Sequence, residues 1–305
     1  MKNSTKRCNL SKSERIKIKN KTISFVILFV ICFIWIIPLL YMIGMSFKST
    51  PDIIANPTQL FPDFSKWTFE NYIGFFQMKD GHIDDLPLWM INSIVSTLIS
   101  VVLSIIITVL ASYAFVFLRF KGSKLILTLI TASMTIPSVI TFVPLYTMYT
   151  TIGQSLGINS SIIYVYAWII GPGLAGAFNL VLMVNAYKSI PKEIVESARS
   201  DGANEWKVFF KITTPLIKST IIVCALFAFS GSWNSLQWPQ LILGSQDSIN
   251  KTITVSLIGY ISNQSIDYKG LAMATCVFSM LPTFIVYLFA QNKIIEGLAS
   301  TGVKK

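Results

Sequence analysis

The sequence predicts an all-α membrane protein with six transmembrane helices and both termini in the cytoplasm. Only 13% of its 305 residues are charged, whereas a soluble domain of this length carries roughly a quarter. The mean hydropathy is +0.62, and the apolar residues are gathered in segments long enough to cross a bilayer. The basic residues lie in alternate connecting segments, a pattern that sets the orientation of membrane proteins.

Six apolar segments are each predicted to form a membrane-spanning helix. A hydrocarbon core of about 30 Å requires roughly 20 apolar residues in a helix. The second segment is longer than this, so we expect that helix to tilt or to project from the membrane. The predicted spans are residues 23–47, 88–117, 125–150, 160–187, 219–242 and 270–292.

The connecting segments predict the orientation. Twenty of the 25 Lys and Arg residues lie in residues 1–21, residues 118–124, residues 188–218 and the C-terminal tail from Lys293. The positive-inside rule places all of these in the cytoplasm, and an even number of spans agrees with that placement. Topology therefore accounts for the net charge of +11, and we expect no nucleic-acid partner.

The chain is expected to have two parts. Residues 1–21 hold eight basic residues and one acidic residue, which predicts a mobile, basic cytoplasmic tail that is attracted to anionic lipid. Residues 22–305 are predicted to form one six-helix transmembrane domain. The first apolar run is too long for the core of a signal peptide, so no cleaved signal is expected.

No Asp, Glu, Lys, Arg or His lies inside any predicted span. Carriers driven by ion gradients place ionisable groups at membrane depth, so energy for transport would have to enter from outside the membrane. An uncharged interior also favours a neutral substrate.

The sequence gives no support for an enzyme. It has no phosphate-binding glycine loop and no Cys/His cluster with metal-ligand spacing. The single histidine, His82, lies beside Asp84 and Asp85 in a predicted external loop, where a solvated side chain is expected. We therefore predict no catalytic residue, no cofactor and no metal in this chain.

One charged segment, residues 188–216, interrupts the apolar chain. Its residues 193–216 carry four acidic and three basic side chains. Pro191 suits the first turn of a helix, Gly202 suits a left-handed helix end, and Asn204 suits the cap of a second helix. We predict two short amphipathic helices joined by a glycine turn.

Two interpretations of these helices fit the residues equally well. The helices could lie on the lipid surface, or they could dock into the groove of a soluble partner. The predicted apolar faces are Ile194, Val195 and Ala198 in the first helix and Trp206, Phe209 and Phe210 in the second.

The charged segment resembles the EAA loop of ABC importer permeases. That loop reads E-A-A-x-x-D-G-A, followed by F-x-x-I-x-x-P-L. The one departure in its core is Ser197, which replaces the first alanine. The matching positions are Glu196, Ala198, Asp201, Gly202, Ala203, Phe209, Ile212, Pro215 and Leu216.

Other stretches resemble the sugar permeases of the same superfamily, in particular its maltose-type branch. The resemblance covers nearly the whole chain beyond about residue 35. The stretches are "PLLYMIGMSFKS" at 38–49, "FENY" at 69–72, "NS" at 92–93, "SYAF" at 112–115 with "LRFKGSK" at 118–124, "IPSVITFVPLY" at 136–146, "SWNSLQWPQLIL" at 232–243 and "EGLASTGVKK" at 296–305.

This resemblance implies a type I ABC importer permease fold in the cytoplasmic membrane of a prokaryote. It implies that the chain pairs with a second, homologous permease subunit. It further implies two ATP-binding cassette ATPase subunits, which bind the ATP, and an extracytoplasmic solute-binding protein that delivers carbohydrate. The EAA loop of such importers is the element that couples the permease to the ATPase.

The expected substrate path is the external end of the fifth span, at Trp233, Asn234 and Gln237. Aromatic faces beside amides suit a sugar. A membrane-interface belt would equally explain Trp233 and Trp238. A hydrogen bond between helices, made by the side-chain amide, would explain Asn234. We favour the belt for the tryptophans, whereas both interpretations of Asn234 stay open.

Two prolines in the third span also admit two interpretations. Pro137 and Pro144 could belong to a broken helix that faces a cavity, or they could simply kink a packed helix. We expect the kink alone.

Two alternatives to a carbohydrate permease are considered. The first keeps the fold but carries a polyol, glycerol phosphate or a peptide; a charged cargo should leave charged residues near its path, and the spans contain none. The second is a membrane scaffold or a secondary carrier that works without an ATPase. The EAA loop and the uncharged spans argue against it.

Overall fold

The computed structural model describes residues 12–76, 86–118, 120–244, 248–262 and 269–302, and all regular structure within these ranges is helical. The α-helices are α1 Lys12–Ser46, α2 Thr50–Ala55, α3 Glu70–Phe76, α4 Leu86–Tyr113, α5 Ser123–Ser133, α6 Ser138–Leu156, α7 Ile162–Ile170, α8 Ala177–Lys188, α9 Lys192–Ser200, α10 Glu205–Lys207, α11 Thr214–Leu216, α12 Lys218–Trp233, α13 Gln237–Leu243, α14 Ile253–Ser262 and α15 Lys269–Gly302. Two π-helical stretches, Ala114–Leu118 and Val208–Thr213, extend α4 and α10.

Three helices are each long and apolar enough to cross a membrane. They are Lys19–Ser46, Leu86–Leu118 and Lys269–Gln291, and they coincide with the first, second and sixth predicted spans. The second is 33 residues long, which confirms the expectation of an over-long helix there.

The third, fourth and fifth predicted spans are each divided into two helices. The axes bend by 101° between α5 and α6 and by 51° between α7 and α8, whereas the third bend, of 79°, lies before the fifth predicted span, between the Glu205–Leu216 stretch of the charged segment and α12. The described residues therefore contain three continuous spans, or up to six if each bent pair counts as one.

The breaks fall where the sequence opposes a continuous helix. A residue before proline is driven away from α geometry, and Pro137 is the N-cap residue of α6. The expectation that Pro137 only kinks a helix was wrong, because α5 ends at Ser133 and a separate helix begins at Ser138. Pro144 lies inside α6, which continues through it.

The chain divides into two compact units, Met1–Tyr72 with Ser265–Ala274 and Ile73–Gln264 with Thr275–Lys305. In the first unit α1 begins at Lys12, so helix extends further into the basic tail than the sequence predicts. The apolar window of α1 is 0% buried within the chain, so its surface is left for lipid or another subunit. Beyond α1, Lys48 is fully buried, and its Nζ donates to the carbonyl oxygens of Asn56 at 2.8 Å and Gln59 at 2.6 Å.

The second unit contains two apolar clusters. The first cluster joins α4, α8, α9, the π-helical stretch Val208–Thr213 and α12 through buried residues such as Tyr113, Tyr187, Val195 and Phe209. The second cluster joins α6, α7, α13 and α14 around Tyr149 and Ile242. The first cluster fixes the charged segment against the ends of two membrane helices.

Candidate functional site

The charged segment folds as two short helices around a glycine turn, as predicted. The first helix, α9, begins directly after Pro191. It ends in a pair of backbone bonds, from Gly202 N to the Arg199 oxygen and from Ala203 N to the Ala198 oxygen, each 3.0 Å long. These are the two bonds of a Schellman helix end, which requires a left-handed residue. Gly202 provides it, with a φ of +79°.

The second helix is capped by Asn204, which also confirms the sequence expectation. The Lys207 backbone N–H donates to Asn204 Oδ1 at 2.8 Å, so one of the free N–H groups at the helix start is paired. The helix then widens into the π-helical stretch Val208–Thr213.

The apolar faces differ in part from the prediction. Val195 and Phe209 are buried at 2% and 4% exposure, whereas Trp206 and Phe210 are more than 60% exposed. The rings of Trp206 and Phe210 stack with centroids 5.8 Å apart. Neighbouring helix positions point about 100° apart, so the core takes Phe209 and leaves Phe210 outside. The three rings contact one another, as the predicted common face requires, but only Phe209 reaches the core.

The residues matched to the EAA pattern divide into an exposed and an inner group. Glu196, Asp201, Gly202 and Pro215 are exposed, and Phe209 is buried. Three further matched residues are half-buried, namely Ala198, Ala203 and Ile212.

An ionic cluster that sequence reasoning missed ties the two short helices to α4. Arg199 donates to Glu205 through Nε at 2.8 Å and through Nη2 at 3.1 Å. The Tyr113 hydroxyl at the end of α4 donates to Glu205 Oε2 at 2.6 Å. Arg199 Nη2 also lies 3.5 Å from the Phe117 carbonyl oxygen. Glu205 thus joins α9, α10 and the end of α4.

The cluster lowers the pKa of the Glu205 carboxyl. The hydrogen bonds from Arg199 are the main cause, and the bond from Tyr113 is the next. In turn, the hydrogen bonds to Glu205 raise the pKa of Arg199. Glu205 is therefore ionised throughout the neutral pH range, and the link is charge-assisted.

A cavity of about 810 Å³ lies between helices of the second unit. Its wall includes Trp233, Asn234 and Gln237, so the three predicted path residues line one cavity. Ser138 and Thr141, in the first turn of α6, also line it. The break at Pro137 therefore presents polar groups to the cavity.

The predicted path residues differ in their packing. Trp233 is 3% exposed, and its Nε1 donates to the Ser279 carbonyl oxygen at 3.0 Å. Trp238 is also buried and donates to the Trp168 carbonyl oxygen at 2.8 Å. Both rings pack inside the protein instead of forming an exposed belt. Asn234 is exposed, and its Nδ2 donates to the Ser230 carbonyl oxygen at 3.0 Å within its own helix end.

The cavity wall contains no ionisable side chain among the residues that the structure describes. Over the same ranges there is no group of three His, Cys, Asp or Glu residues that could hold a metal. The loop residues His82, Asp84 and Asp85 lie outside the described part of the chain.

Comparisons with known proteins place these features in a family. The model of the family "Binding-protein-dependent transport system inner membrane component" matches residues 104–298. The diacetylchitobiose uptake system permease protein NgcG of Streptomyces coelicolor is 29% identical over 282 residues, which cover 92% of this chain and 87% of that protein. The lactose transport system permease protein LacG of Rhizobium radiobacter is 28% identical over 276 residues, with coverages of 90% and 94%.

A solved structure has the same fold. It is a bacterial ABC transporter involved in the import of the acidic polysaccharide alginate, with a TM-score of 0.75, 23% identity, and coverage of 93% of this chain and 98% of the other. The family match spans more than half of the chain and includes the whole charged segment. The protein is therefore a member of the inner membrane component family of binding-protein-dependent transport systems.

Proposed function

We propose that this chain is the permease subunit of an ATP-driven importer that moves a neutral carbohydrate across the cytoplasmic membrane of a prokaryote. It spans the membrane six times with both termini in the cytoplasm. The names of the relatives, a diacetylchitobiose permease and a lactose permease, support a sugar or an oligosaccharide as the cargo.

The observation that carries this proposal is the link between the charged segment and α4. Glu205 is hydrogen-bonded to Tyr113 on α4, and the same helix lines the cavity through Ser100 and Ser104. A displacement of the charged segment is therefore transmitted to the cavity wall through a short, charge-assisted contact. Such a link is what a subunit needs if a partner outside the membrane is to drive transport.

The exposed face of the charged segment supports the docking interpretation over the lipid one. The segment exposes the stacked pair Trp206 and Phe210 together with charges of both signs, namely the acidic Glu196 and Asp201 and the basic Lys207 and Lys211. Exposed aromatic rings with charges of both signs fit a protein groove, whereas a helix that lies on anionic lipid typically has a polar face rich in Lys and Arg. The proposed occupants of this face are the ATPase subunits, and a homologous permease and an extracytoplasmic solute-binding protein complete the assembly.

The cavity supports a neutral cargo. A phosphate or a carboxylate that loses its water needs a charged partner, and the described wall offers none. A polyol would fit the same wall, whereas glycerol phosphate would find no cation among the described residues of this wall.

The proposal is tested by reconstituting the chain with its partner permease, its ATPase subunits and its binding protein in vesicles. We expect uptake of a neutral oligosaccharide that depends on ATP and survives collapse of the proton gradient at constant ATP. A proportional loss of uptake with the gradient would favour a secondary carrier. If the vesicles take up none of the carbohydrates in a panel that includes lactose and diacetylchitobiose, the proposed cargo is rejected.

A further inference from the structure

A stripe of hydroxyl groups runs along α4 on the side that faces the cavity. Apart from one adjacent pair, Ser96 and Thr97, its members are three or four residues apart, so they occupy one side of the helix. From the first to the last the stripe extends about 16 Å at a rise of about 1.5 Å per residue, which is roughly half of a hydrocarbon core. The members that line the cavity are Ser93, Ser96, Thr97, Ser100 and Ser104.

Close helix packing explains only part of this stripe. Small residues allow membrane helices to approach each other, and the stripe continues through Thr108 and Ser112. These two are as buried as the others, at 2% and 0% exposure, but they do not belong to the cavity wall. Packing therefore accounts for the continuation, whereas the other members border an open volume that packed side chains would have filled.

The hydroxyls that border the cavity have unused hydrogen-bonding capacity. A serine in an apolar helix commonly donates to the carbonyl three or four residues earlier, as Ser112 does to the Val109 oxygen at 3.0 Å. Ser100 and Ser104 are 8% and 3% exposed, and their hydroxyls form no hydrogen bond within the described part of the chain. Both residues line the cavity, so their hydroxyls have free capacity to donate to and accept from a ligand there.

A second, independent feature of the wall lies on α8. Asn179 is 7% exposed and lines the cavity. Its Nδ2 donates to the Cys224 carbonyl oxygen at 3.3 Å, whereas Oδ1 has no hydrogen-bond partner. Because the carbonyl of Cys224 can only accept, this pairing leaves the acceptor end of the amide free. Asn179, a residue of the cavity wall, therefore carries a buried acceptor that needs a donor, and the hydroxyls of Ser100 and Ser104 line the same cavity.

We propose that Ser100, Ser104 and Asn179 bind the hydroxyl groups of a neutral sugar as it passes through this subunit. The inference rests on the proposed function, because it assigns residues to the same path. Sugar hydroxyls both donate and accept, so one hydroxyl can donate to Asn179 Oδ1 while others bond to the serines. The stripe of hydroxyl groups on α4 thus extends the proposed sugar path beyond the amides of Asn234 and Gln237.

The test uses the full reconstituted transporter and variants that keep side-chain volume small. Ser100→Ala and Ser104→Ala remove a hydroxyl but preserve close packing, so a packing role predicts no change. We expect each to lower sugar uptake at saturating binding protein by roughly three- to tenfold, the range for one neutral hydrogen bond. Hydrolysis of ATP that is stimulated by the binding protein should change less than uptake.

The matched controls lie on the same stripe. Ser112→Ala and Thr108→Ser are equally buried changes outside the cavity, and they should leave uptake unchanged. Equal uptake in the Ser100→Ala, Ser104→Ala and wild-type transporters would overturn the assignment while carbohydrate import by the wild type stands. If the wild type imports no carbohydrate, the proposed function itself fails.

The variant Asn179→Leu separates a binding role from a structural role, because thermal stability and sugar uptake are measured on the same protein. The substitution removes the unpartnered buried acceptor, which is stabilising, and the long Nδ2 bond to the Cys224 oxygen, which is destabilising, so the two effects oppose each other and the thermal midpoint of the purified transporter should change little. Uptake should nevertheless fall. A lowered midpoint together with lost uptake would assign Asn179 to structure and reject its binding role.

Discussion

Gly202 is the residue on which the geometry of the charged segment depends most directly. Its φ of +79° is in the left-handed region, where β-branched residues are strongly disfavoured. A Cβ at this position meets no atom of the chain within 4 Å. The requirement for glycine within this chain is therefore conformational and not steric.

We predict that Gly202→Val uncouples transport without preventing membrane insertion. The left-handed geometry costs about 1–2 kcal/mol for an ordinary residue, and a β-branched side chain adds to this. The turn between α9 and α10 should be lost in most molecules. Substrate-stimulated ATP hydrolysis in reconstituted vesicles should fall roughly tenfold, and co-purification of the ATPase should weaken.

Two variants control this experiment. Gly202→Asn should retain most of the activity, because asparagine tolerates the left-handed region. Gly122→Val imposes the same strain elsewhere, since Gly122 has a φ of +84° and open space around its Cβ position. Wild-type stimulation in Gly202→Val, or an equal loss in Gly122→Val, would contradict a specific role of the charged segment.

At the scale of elements, Glu205 holds α9, α10 and α4 together. Its carboxylate accepts from Arg199 and from Tyr113. The exposed ion pair alone contributes about 1 kcal/mol or less, since both side chains are more than a third exposed. Its main effect is geometric, because it selects one orientation of the two short helices relative to a membrane helix.

We predict that Glu205→Gln weakens coupling more than stability. The neutral amide keeps the shape but loses the charge-assisted bonds, so stimulated ATP hydrolysis should fall several-fold while the thermal midpoint falls only slightly. Glu193→Gln is the matched control, because Glu193 is an exposed acid of the same helix pair. Equal behaviour of the two variants would remove Glu205 from the proposed mechanism.

The same cluster has a defined pH dependence. The folded-state pKa of Glu205 lies below its usual value, so the bound carboxylate stabilises the fold above the usual pKa of about 4.3 and loses this effect as the pH falls through the lowered pKa. The difference in thermal midpoint between wild type and Glu205→Gln should be constant from pH 6 to 8 and should shrink below about pH 4.

At the scale of the whole molecule, the distribution of charge predicts the orientation in the membrane. Twenty of the 25 basic residues lie on one predicted side. The apolar surface of the α1 window is 0% buried within the chain, so lipid or a second permease must cover it.

We predict that a membrane-impermeant thiol reagent separates the two sides in intact cells. In a variant without native cysteines, a cysteine at Ser155 should be labelled from outside, and one at Lys207 should be labelled only after permeabilisation. Both positions are exposed, so burial does not decide the result. Labelling of position 207 from outside would reject the model with both termini in the cytoplasm.

The sequence by itself determined the class of the protein and the local form of the charged segment. The apolar segments and the charge distribution can be read directly from the sequence. The turn at Gly202 and the cap at Asn204 depend only on contacts between residues close in the chain. Short-range rules of helix length and capping suffice for these features. The resemblance to the EAA loop of ABC importer permeases also lies in the charged segment.

Only the tertiary structure decided which groups meet across the chain. Tyr113 and Glu205 are 92 residues apart, and no local pattern pairs them. The direction of Phe209 toward the core and the wall formed by α4 and α8 likewise depend on neighbouring helices. A serine in an apolar helix carries the same local signal whether it packs or faces a cavity, and only the volume beside it separates Ser104 from Ser112.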